Sequence, residues 1–197
     1  HPYNESHRHF SHALAIHPLG LIDWSNGEKD QQIILATLKK MKDYGPDYWT
    51  GYTYAWYANM LARAFKGEEA AEALRVFASC FCLKNLFHAN GDQSGTGKSL
   101  FTYRPFTLEG NFAFAAAVQE MLLQSHDGCI HLLPALPDVW KDGEFHGFMA
   151  RGGFRVSAVW KNGRVVHCSI TCKENKKYCV KLNGTVIETS GNYVYKE

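Results

Sequence analysis

Residues 109–140 read EGNFAFAAAVQEMLLQSHDGCIHLLPALPDVW, and this stretch separates two parts of the chain that differ in pattern. Residues 109–124 have helical periodicity and a run of small side chains, which predicts a helix that another helix can approach closely. After His126, two prolines in HLLPALPDVW exclude the interior of a helix. The sequence therefore predicts a helical domain at 1–127 and a second domain at 128–197.

Three further helices are predicted before this boundary, because apolar residues recur there every three or four positions: 30–41, 52–65 and 68–83. The second of them, YTYAWYANMLARAF, is apolar on nearly every face and is expected to be largely buried. Residues 88–99, HANGDQSGTGKS, are rich in Gly, Ser and Asn, and this composition predicts a loop.

After the boundary the chain consists of short alternating runs divided by turn signals. Asn162-Gly163 lies between FRVSAVW and VVHCSITC, and Asn-Gly in that position is the strongest short-range signal for a β-hairpin. Asn183-Gly184 repeats the arrangement, and Gly191-Asn192 precedes a last strand. The sequence predicts a small antiparallel, sandwich-like β domain, so that the fold class is mainly α with a C-terminal β part.

Composition excludes several classes of protein. The chain has 197 residues, of which 46% are hydrophobic and 20% charged, an ordinary globular mixture that excludes disorder and coiled coils. Its net charge of +2 and the lack of a Lys/Arg stripe predict no nucleic-acid partner. No apolar stretch approaches the ~18 residues of a membrane helix, so no membrane partner is expected.

The six cysteines do not form a metal-binding pattern. Cys80 and Cys82 are one residue apart on a predicted helix and therefore point to different faces. The remaining four lie at the boundary or in the β part. A disulfide framework and buried free thiols are both compatible with this spacing, and we favour free thiols.

Residues 7–12, HRHFSH, contain three histidines and an arginine in six positions. Imidazole is a common zinc ligand, but no HExxH arrangement or cysteine pair completes a ligand set. The histidines could also be hydrogen-bonded within a loop or core. In a third interpretation, Arg8 and its neighbours donate hydrogen bonds to sugar hydroxyls or to a carboxylate.

Glu109 is predicted at or near the start of a nearly uncharged helix, within RPFTLEGNF. A carboxylate there could simply stabilise the helix dipole. A lone acid beside an apolar core, with amide donors such as Asn111 nearby, is also a candidate general base. The aromatic run YWTGYTYAWY at 48–57 is equally open, since such residues form carbohydrate clefts but more commonly pack in cores.

Six segments of this sequence together resemble glycoside hydrolase family 95, the inverting α-L-fucosidases. They cover most of the chain up to residue 165: HRHFSH, TGYTYAWYANMLARA, NLFHA, PFTLEGNF, EMLLQSHDGCIHLLPALPDVW and GFMARGGFRVSAVWKNGR. The resemblance implies part of an (α/α)6 barrel followed by a small antiparallel β domain. It also implies hydrolysis of terminal α-L-fucosyl or α-L-galactosyl linkages with inversion, without a cofactor or a metal.

The resemblance implies specific roles for residues of the motifs. Glu109 would be the general base, at a position where the family usually has Asp. His7 and His9 would contact the sugar hydroxyls, with Arg8 supporting them. Trp49 and Trp56 are candidates for the cleft wall, and Asn111 for a further substrate contact. The family commonly has His-Pro-Pro where this chain has Tyr103-Arg104-Pro105, so the sugar contact of that histidine does not carry over.

The family's general acid lies upstream of the HRH motif, and four helices are too few for six barrel pairs. We therefore expect a fragment of a secreted or periplasmic enzyme, inactive alone, whose partners are fucosylated or L-galactosylated glycans. Self-association, or association with a missing N-terminal part of the same enzyme, would cover an incomplete barrel. Two alternatives remain at this point: a non-catalytic carbohydrate-binding or scaffold protein, and a metal-binding helical protein.

Overall fold

A computed structural model describes residues 3–197. The chain divides into two compact units, the first ending at Val118 and the second beginning at Gln119. The first unit is built of helices, the last of which continues to Leu122 in the second unit, and the strands lie in the second unit, which confirms the predicted order of a helical part followed by a small β part. The predicted domain boundary at 127/128 falls in the turn between the first two strands and stays a prediction.

The four predicted helices are confirmed, with small differences at their ends: α1 (Glu28–Tyr44), α2 (Gly51–Arg63), α3 (Gly67–Cys80) and α4 (Leu108–Leu122). Helix α1 begins with Glu28 and Asp30 in its first turn, where negative charge is favourable. Gly45 follows its last residue as the C-cap, and the positive φ of 72° there suits glycine. Helix α2 begins with a capping box in which the Thr50 and Thr53 hydroxyls and backbone groups satisfy each other.

Helix α2 is the centre of the first unit. All of its residues except Tyr52 are buried, as its apolar sequence predicts. One of its buried polar side chains is Asn59, whose Nδ2 donates to the carbonyls of Ala55 and Ala113, each at 2.9 Å. The second of these bonds ties α2 to the small-residue run of α4. Within residues 3–197 no helix combines the length and the apolar character that crossing a membrane requires.

Residues 88–107, between α3 and α4, form a hydrogen-bonded loop that we call the 88–107 excursion, in keeping with the predicted loop at 88–99. Its two arms are joined by backbone bonds from Asn90 to Pro105, Gly91 to Tyr103 and Asp92 to Phe101. The Asp92 carboxylate closes the tip by accepting from the backbone N–H groups of Ser94 and Lys98, at 2.7 and 2.9 Å. This excursion fixes the position of residues 101–107, which lead into α4.

The second unit contains two four-stranded sheets with the strand orders β1-β2-β6-β7 and β3-β4-β5-β8. The strands are β1 (Leu123–Gln124), β2 (Cys129–Leu132), β3 (Gly143–Ala150), β4 (Phe154–Lys161), β5 (Arg164–Thr171), β6 (Lys177–Leu182), β7 (Thr185–Ser190) and β8 (Tyr193–Lys196). All pairs are antiparallel except β2–β6, which is parallel. The predicted antiparallel β domain is confirmed apart from this one parallel pair, which arises because the chain forms β3, β4 and β5 before it returns beside β2.

Both predicted Asn-Gly turns are confirmed. Asn162 and Gly163 have φ of 49° and 74°, and Asn183 and Gly184 have φ of 50° and 80°. Positive φ at both central residues is the geometry of the type I′ hairpin turn that Asn-Gly favours. The Asn183 side chain also bonds the backbone N–H and carbonyl of Val165 at 2.9 Å, which links the two hairpins.

A disulfide joins Cys129 of β2 to Cys179 of β6, whose Cα atoms are 4.6 Å apart. The favoured interpretation of free thiols was wrong for this pair. The two residues are 50 positions apart in sequence and meet only because the parallel register places them opposite each other. Among residues 3–197 the other four cysteines are free thiols: Cys80, Cys82, Cys168 and Cys172.

Replacing both Cys129 and Cys179 by Ser is expected to lower the free energy of unfolding by about 2–4 kcal/mol. The reason is that a cross-link closing a loop of this length restricts the unfolded chain. Urea unfolding with and without a thiol reductant measures the effect, and reductant should change the wild type but not the double variant. Cys172→Ser, on the same unit, is the control; a loss of stability as large as that of the double variant would contradict the prediction.

Candidate functional site

The loop that carries His7, Arg8 and His9 is tied to the start of α2. The Thr53 hydroxyl donates to the Arg8 carbonyl at 2.8 Å. The His9 backbone N–H donates to His7 Nδ1 at 3.0 Å, and Arg8 Nε–H donates to His9 Nε2 at 3.1 Å. His7 Nδ1 also lies 3.2 Å from the His9 carbonyl. Because His9 Nε2 accepts from Arg8, a neutral His9 ring carries its proton on Nδ1, where it can be donated to a hydroxyl oxygen.

Electrostatics favours the neutral form of His9. Burial lowers the pKa of His9, and the nearby charges of Arg8 and His7 lower it further. A neutral ring is both a donor and an acceptor, as a sugar hydroxyl is. The 7–9 loop therefore presents an arginine and polar rings suited to a polyhydroxyl ligand, in line with the third interpretation of the sequence.

Aromatic residues of the 88–107 excursion border this loop. Arg8 Nη1–H donates to the Tyr103 hydroxyl at 3.4 Å, and the rings of Phe101 and Tyr103 pack edge-on with centroids 5.3 Å apart. A cleft of about 330 Å³ is lined by Glu5, Ser6, His7, Arg8, Tyr48 and Phe101. Tyr103 was noted in the sequence only as a departure from the family, and its place beside Arg8 follows from a contact between residues 95 positions apart.

Trp49 and Trp56 lie beneath this loop and are buried, with exposed fractions of 4% and 7%. Both indole rings pack against Phe10, with centroids 5.4 and 5.8 Å apart. Trp56 Nε1–H donates to the His17 carbonyl at 3.0 Å, and the rings of Tyr52 and Trp56 share a face of α2 as predicted. The structure thus places both tryptophans in the core that supports the loop, and their contact with a substrate stays a prediction.

Glu109 lies in the first turn of α4 and is exposed. Its negative charge adds to burial in raising the pKa of Tyr52, so the carboxylate and this phenol share one electrostatic environment. Tyr52 directly precedes Thr53, the residue that holds the Arg8 carbonyl. Glu109 and the 7–9 loop therefore each interact with a residue at the start of α2, Tyr52 and Thr53 respectively.

Asn111 uses both ends of its side-chain amide within the protein. Its Oδ1 accepts from the His88 backbone N–H at 3.0 Å, and its Nδ2 donates to the Leu86 carbonyl at 2.9 Å. These bonds fasten residues 86–88 to the start of α4. The predicted contact of Asn111 with substrate stays a prediction.

His88 is a residue that sequence reasoning did not single out, although it lies in the NLFHA segment. It is fully buried and stacks on Phe77, with ring centroids 5.2 Å apart and an interplanar angle of 15°. Its Nδ1 lies 2.9 Å from both the carbonyl and the hydroxyl oxygen of Thr107. Burial lowers the pKa of His88 against the opposing effects of Thr107 and Glu109, which favours the neutral ring at pH 7.

Two glycines make room for the His88 ring. A Cβ on Gly110 would overlap the Nδ1 side of the ring, and a Cβ on Gly51 would overlap the Nε2 side. Gly51 opens α2 and Gly110 lies in the first turn of α4. The close packing of these two helix starts on one imidazole therefore depends on glycine at both positions.

Replacing Gly110 by Ala is expected to lower the free energy of unfolding by about 2 kcal/mol. Overlap with a ring confined by Gly51 and Phe77 should cost roughly 3 kcal/mol, the upper end for overpacking. The better helix propensity of Ala returns only ~1 kcal/mol. Denaturant unfolding measures the change, and in a His88→Ala background the same substitution should be neutral or stabilising. An equal loss in both backgrounds would contradict the proposed contact.

Within residues 3–197 the structure holds no group of three or more His, Cys, Asp or Glu side chains that could hold a metal ion. His7 Nδ1 instead accepts from the His9 backbone N–H, and His9 Nε2 accepts from Arg8 Nε–H. The metal-binding interpretation of this segment thus has no ligand set in the described part of the chain.

Comparison with solved structures addresses the fold. The chain is similar to a putative kojibiose phosphorylase from the human microbiome, with a TM-score of 0.56 and 11% sequence identity. The match covers 97% of this chain and 25% of that one. At this identity the likeness shows the fold alone.

Comparison with curated proteins and protein families addresses the sequence. Over 81% of its length the chain is 37% identical to alpha-L-fucosidase 2 from Arabidopsis thaliana, and over 83% it is 26% identical to probable alpha-fucosidase A from Aspergillus niger. It spans 18% and 21% of the lengths of these relatives. The model of the glycosyl hydrolase family 95 catalytic domain matches residues 2–122, and that of the family 95 C-terminal domain matches residues 124–197. The chain therefore belongs to glycoside hydrolase family 95.

Proposed function

We propose that this chain supplies the general base and the sugar-binding loop of an inverting α-L-fucosidase. The observation that carries the proposal is that Glu109, in the first turn of α4, acts electrostatically on Tyr52 at the start of α2, next to Thr53, whose hydroxyl donates to the Arg8 carbonyl. The names of the curated relatives support the choice of α-L-fucosides, and α-L-galactosides are the second candidate substrates.

In the proposed reaction Glu109 accepts a proton from a water molecule as that water attacks the anomeric carbon. A second carboxyl group, acting as an acid, protonates the departing glycosidic oxygen from about 6.5–9.5 Å away, so that the water fits between the two groups. We place this acid outside the chain, upstream of the 7–9 loop. On this proposal the isolated chain binds sugar weakly and does not turn it over.

The sugar ring is proposed to lie beside the 7–9 loop. His7, Arg8 and His9 donate and accept hydrogen bonds with its hydroxyls, and Arg8 holds His9 and Tyr103 in place. Tyr103 lies in the segment where the family commonly has a histidine. We propose that the sugar hydroxyl contacted by Tyr103 determines whether the site prefers L-fucose or L-galactose. Glu109 is one methylene longer than the usual Asp, and we propose that the rotamer of this exposed side chain accommodates the added length.

The compartment and the complete fold are further parts of the proposal. A structural disulfide such as Cys129–Cys179 persists in an oxidising environment, which supports a secreted or periplasmic protein. The helices of the first unit are proposed to form part of an (α/α)6 barrel. The exposed apolar surface of a partial barrel would be covered by the rest of the same enzyme or by self-association.

A second candidate function is carbohydrate binding without catalysis. The longer carboxylate at position 109 favours it, because one methylene displaces the proton acceptor from the place of the usual Asp. In this case the 7–9 loop would still recognise fucosylated glycans.

The experiment uses the protein expressed from its complete gene with aryl α-L-fucoside and aryl α-L-galactoside. We expect turnover of at least one of the two, with the fucoside preferred. Binding of L-fucose by calorimetry without turnover of either glycoside would favour the carbohydrate-binding function. Neither turnover nor binding would contradict both.

A further inference from the structure

His88 is hydrogen-bonded through its backbone and its side chain to residues at or just before the start of α4. Its backbone N–H donates to Asn111 Oδ1 at 3.0 Å, and its carbonyl accepts from the Thr107 N–H at 3.3 Å. Its Nδ1 bonds Thr107 at 2.9 Å. Glu109 lies between Thr107 and Asn111 in sequence, so His88 is fastened on both sides of the candidate base.

We propose that His88 is a positioning residue for Glu109: its buried imidazole fixes the first turn of α4 and thereby the place of the carboxylate. The inference rests on the proposed role of Glu109 as general base. His88 does not touch the substrate in this account and acts only through α4.

The bonding at Nδ1 assigns the proton of the ring. Nδ1 lies 2.9 Å from both oxygens of Thr107; because the carbonyl can only accept and the hydroxyl donates to Asn90 Oδ1, His88 Nδ1 carries the hydrogen and donates it. The same carbonyl accepts from the Gly110 N–H at 3.2 Å, which closes the first turn of the helix. The Thr107 hydroxyl is in turn bonded to Asn90 Oδ1 at 3.2 Å. The Nδ1 proton therefore anchors the carbonyl on which the turn is built.

The environment of Nε2, on the opposite edge of the ring, differs from that of Nδ1. Among the described residues Nε2 has no hydrogen-bond partner, and it lies against the backbone of Gly51. A fully buried polar atom without a partner costs free energy. A leucine or phenylalanine would avoid this cost, but neither could donate to the Thr107 carbonyl. Retention of a histidine here is therefore explained by the bond at Nδ1.

The difference between the two ring nitrogens gives a matched pair of variants. The side-chain amide of Asn places a donor near the position of Nδ1, whereas the amide of Gln reaches toward the position of Nε2. His88→Asn is therefore expected to keep the bond to Thr107 and His88→Gln to lose it, although both remain polar and neutral. His88→Leu removes both nitrogens at similar volume.

The first test measures kcat, KM and thermal unfolding for these variants in the protein expressed from its complete gene, with aryl α-L-fucoside. Misplacing a catalytic group by about 1 Å can cost up to ~100-fold in rate. We expect His88→Gln and His88→Leu to lower kcat by about 10- to 100-fold with little change in KM. His88→Asn should stay near the wild type. Equal kcat in Asn and Gln variants, or losses that follow the unfolding temperature alone, would overturn the inference.

A second readout does not depend on activity. Hydrogen exchange at the amides of residues 108–112 reports whether the first turn of α4 is held in place. Faster exchange in His88→Gln than in His88→Asn is expected, and equal exchange in the two would overturn the inference even if the wild type has no turnover. Failure of the proposed function can be distinguished from failure of this inference. If Glu109 is not the general base, a Glu109 variant keeps the activity of the wild type.

Discussion

Glu109→Gln is expected to lower kcat for an aryl α-L-fucoside by about 10²- to 10⁴-fold, the usual contribution of general acid–base catalysis. Gln has nearly the same size as Glu and can occupy the same place on the first turn of α4, but it cannot take a proton from water. The substitution should leave KM nearly unchanged, since Glu109 is proposed to act on the water and not on the sugar. Initial rates over a range of substrate concentrations measure both constants.

Glu109→Asp is the matched control, because Asp keeps the charge and restores the side chain that the family usually has here. We expect it to retain far more activity than Glu109→Gln. Thermal unfolding of both variants should resemble that of the wild type, since the carboxylate is exposed and has no role in the core. Similar kcat values for Gln and wild type would show that Glu109 is not the base.

Arg8→Lys is expected to raise KM by about 10- to 100-fold, with a smaller change in kcat. Lys keeps the positive charge but lacks the planar fork through which Arg8 holds both His9 Nε2 and the Tyr103 hydroxyl. Arg8 is exposed in the free protein, so these bonds gain strength only when a bound sugar excludes water; there a hydrogen bond from a charged group contributes about 1.5–3 kcal/mol, which sets the scale of the loss. Steady-state kinetics and calorimetric binding of L-fucose would both report it.

Arg75→Lys provides the control for this substitution. Arg75 forms an exposed pair with Glu72 on α3, and exposed pairs contribute little. Its kinetics and stability should match the wild type. If Arg8→Lys behaves in the same neutral way, the 7–9 loop does not bind the sugar through the contacts described here.

Local patterns were enough to predict the helices and two hairpins. The helix starts follow from apolar periodicity, and the turns at Asn162-Gly163 and Asn183-Gly184 follow from the preference of Asn-Gly for positive φ. Strand β3 was not predicted, because Gly147 adopts a φ of 71° and the pairing with β4 shifts register between Phe145 and Phe148. Such an irregularity weakens the alternation of apolar and polar residues by which a strand is recognised in a sequence.

Long-range contacts explain what the sequence could not indicate. The Cys129–Cys179 disulfide depends on the parallel pairing of β2 and β6, which no local pattern encodes. In the candidate site, the roles of the motif residues His7, Arg8 and His9 stay a prediction, and the structure ties their loop to the start of α2 through the Arg8 carbonyl. His88 was missed because a single histidine forms no recognisable sequence motif. Its proposed role rests on contacts with residues 107–111, which are distant from it in sequence.

The identity of the anomer first released from an aryl α-L-fucoside tests the central claim most directly. Proton NMR of the protein expressed from its complete gene, recorded before mutarotation equilibrates the sugar, distinguishes the two anomers. The account predicts β-L-fucose, because a water activated by Glu109 attacks the face opposite the leaving group. Release of α-L-fucose would contradict it, since retention requires a covalent nucleophile in place of a general base.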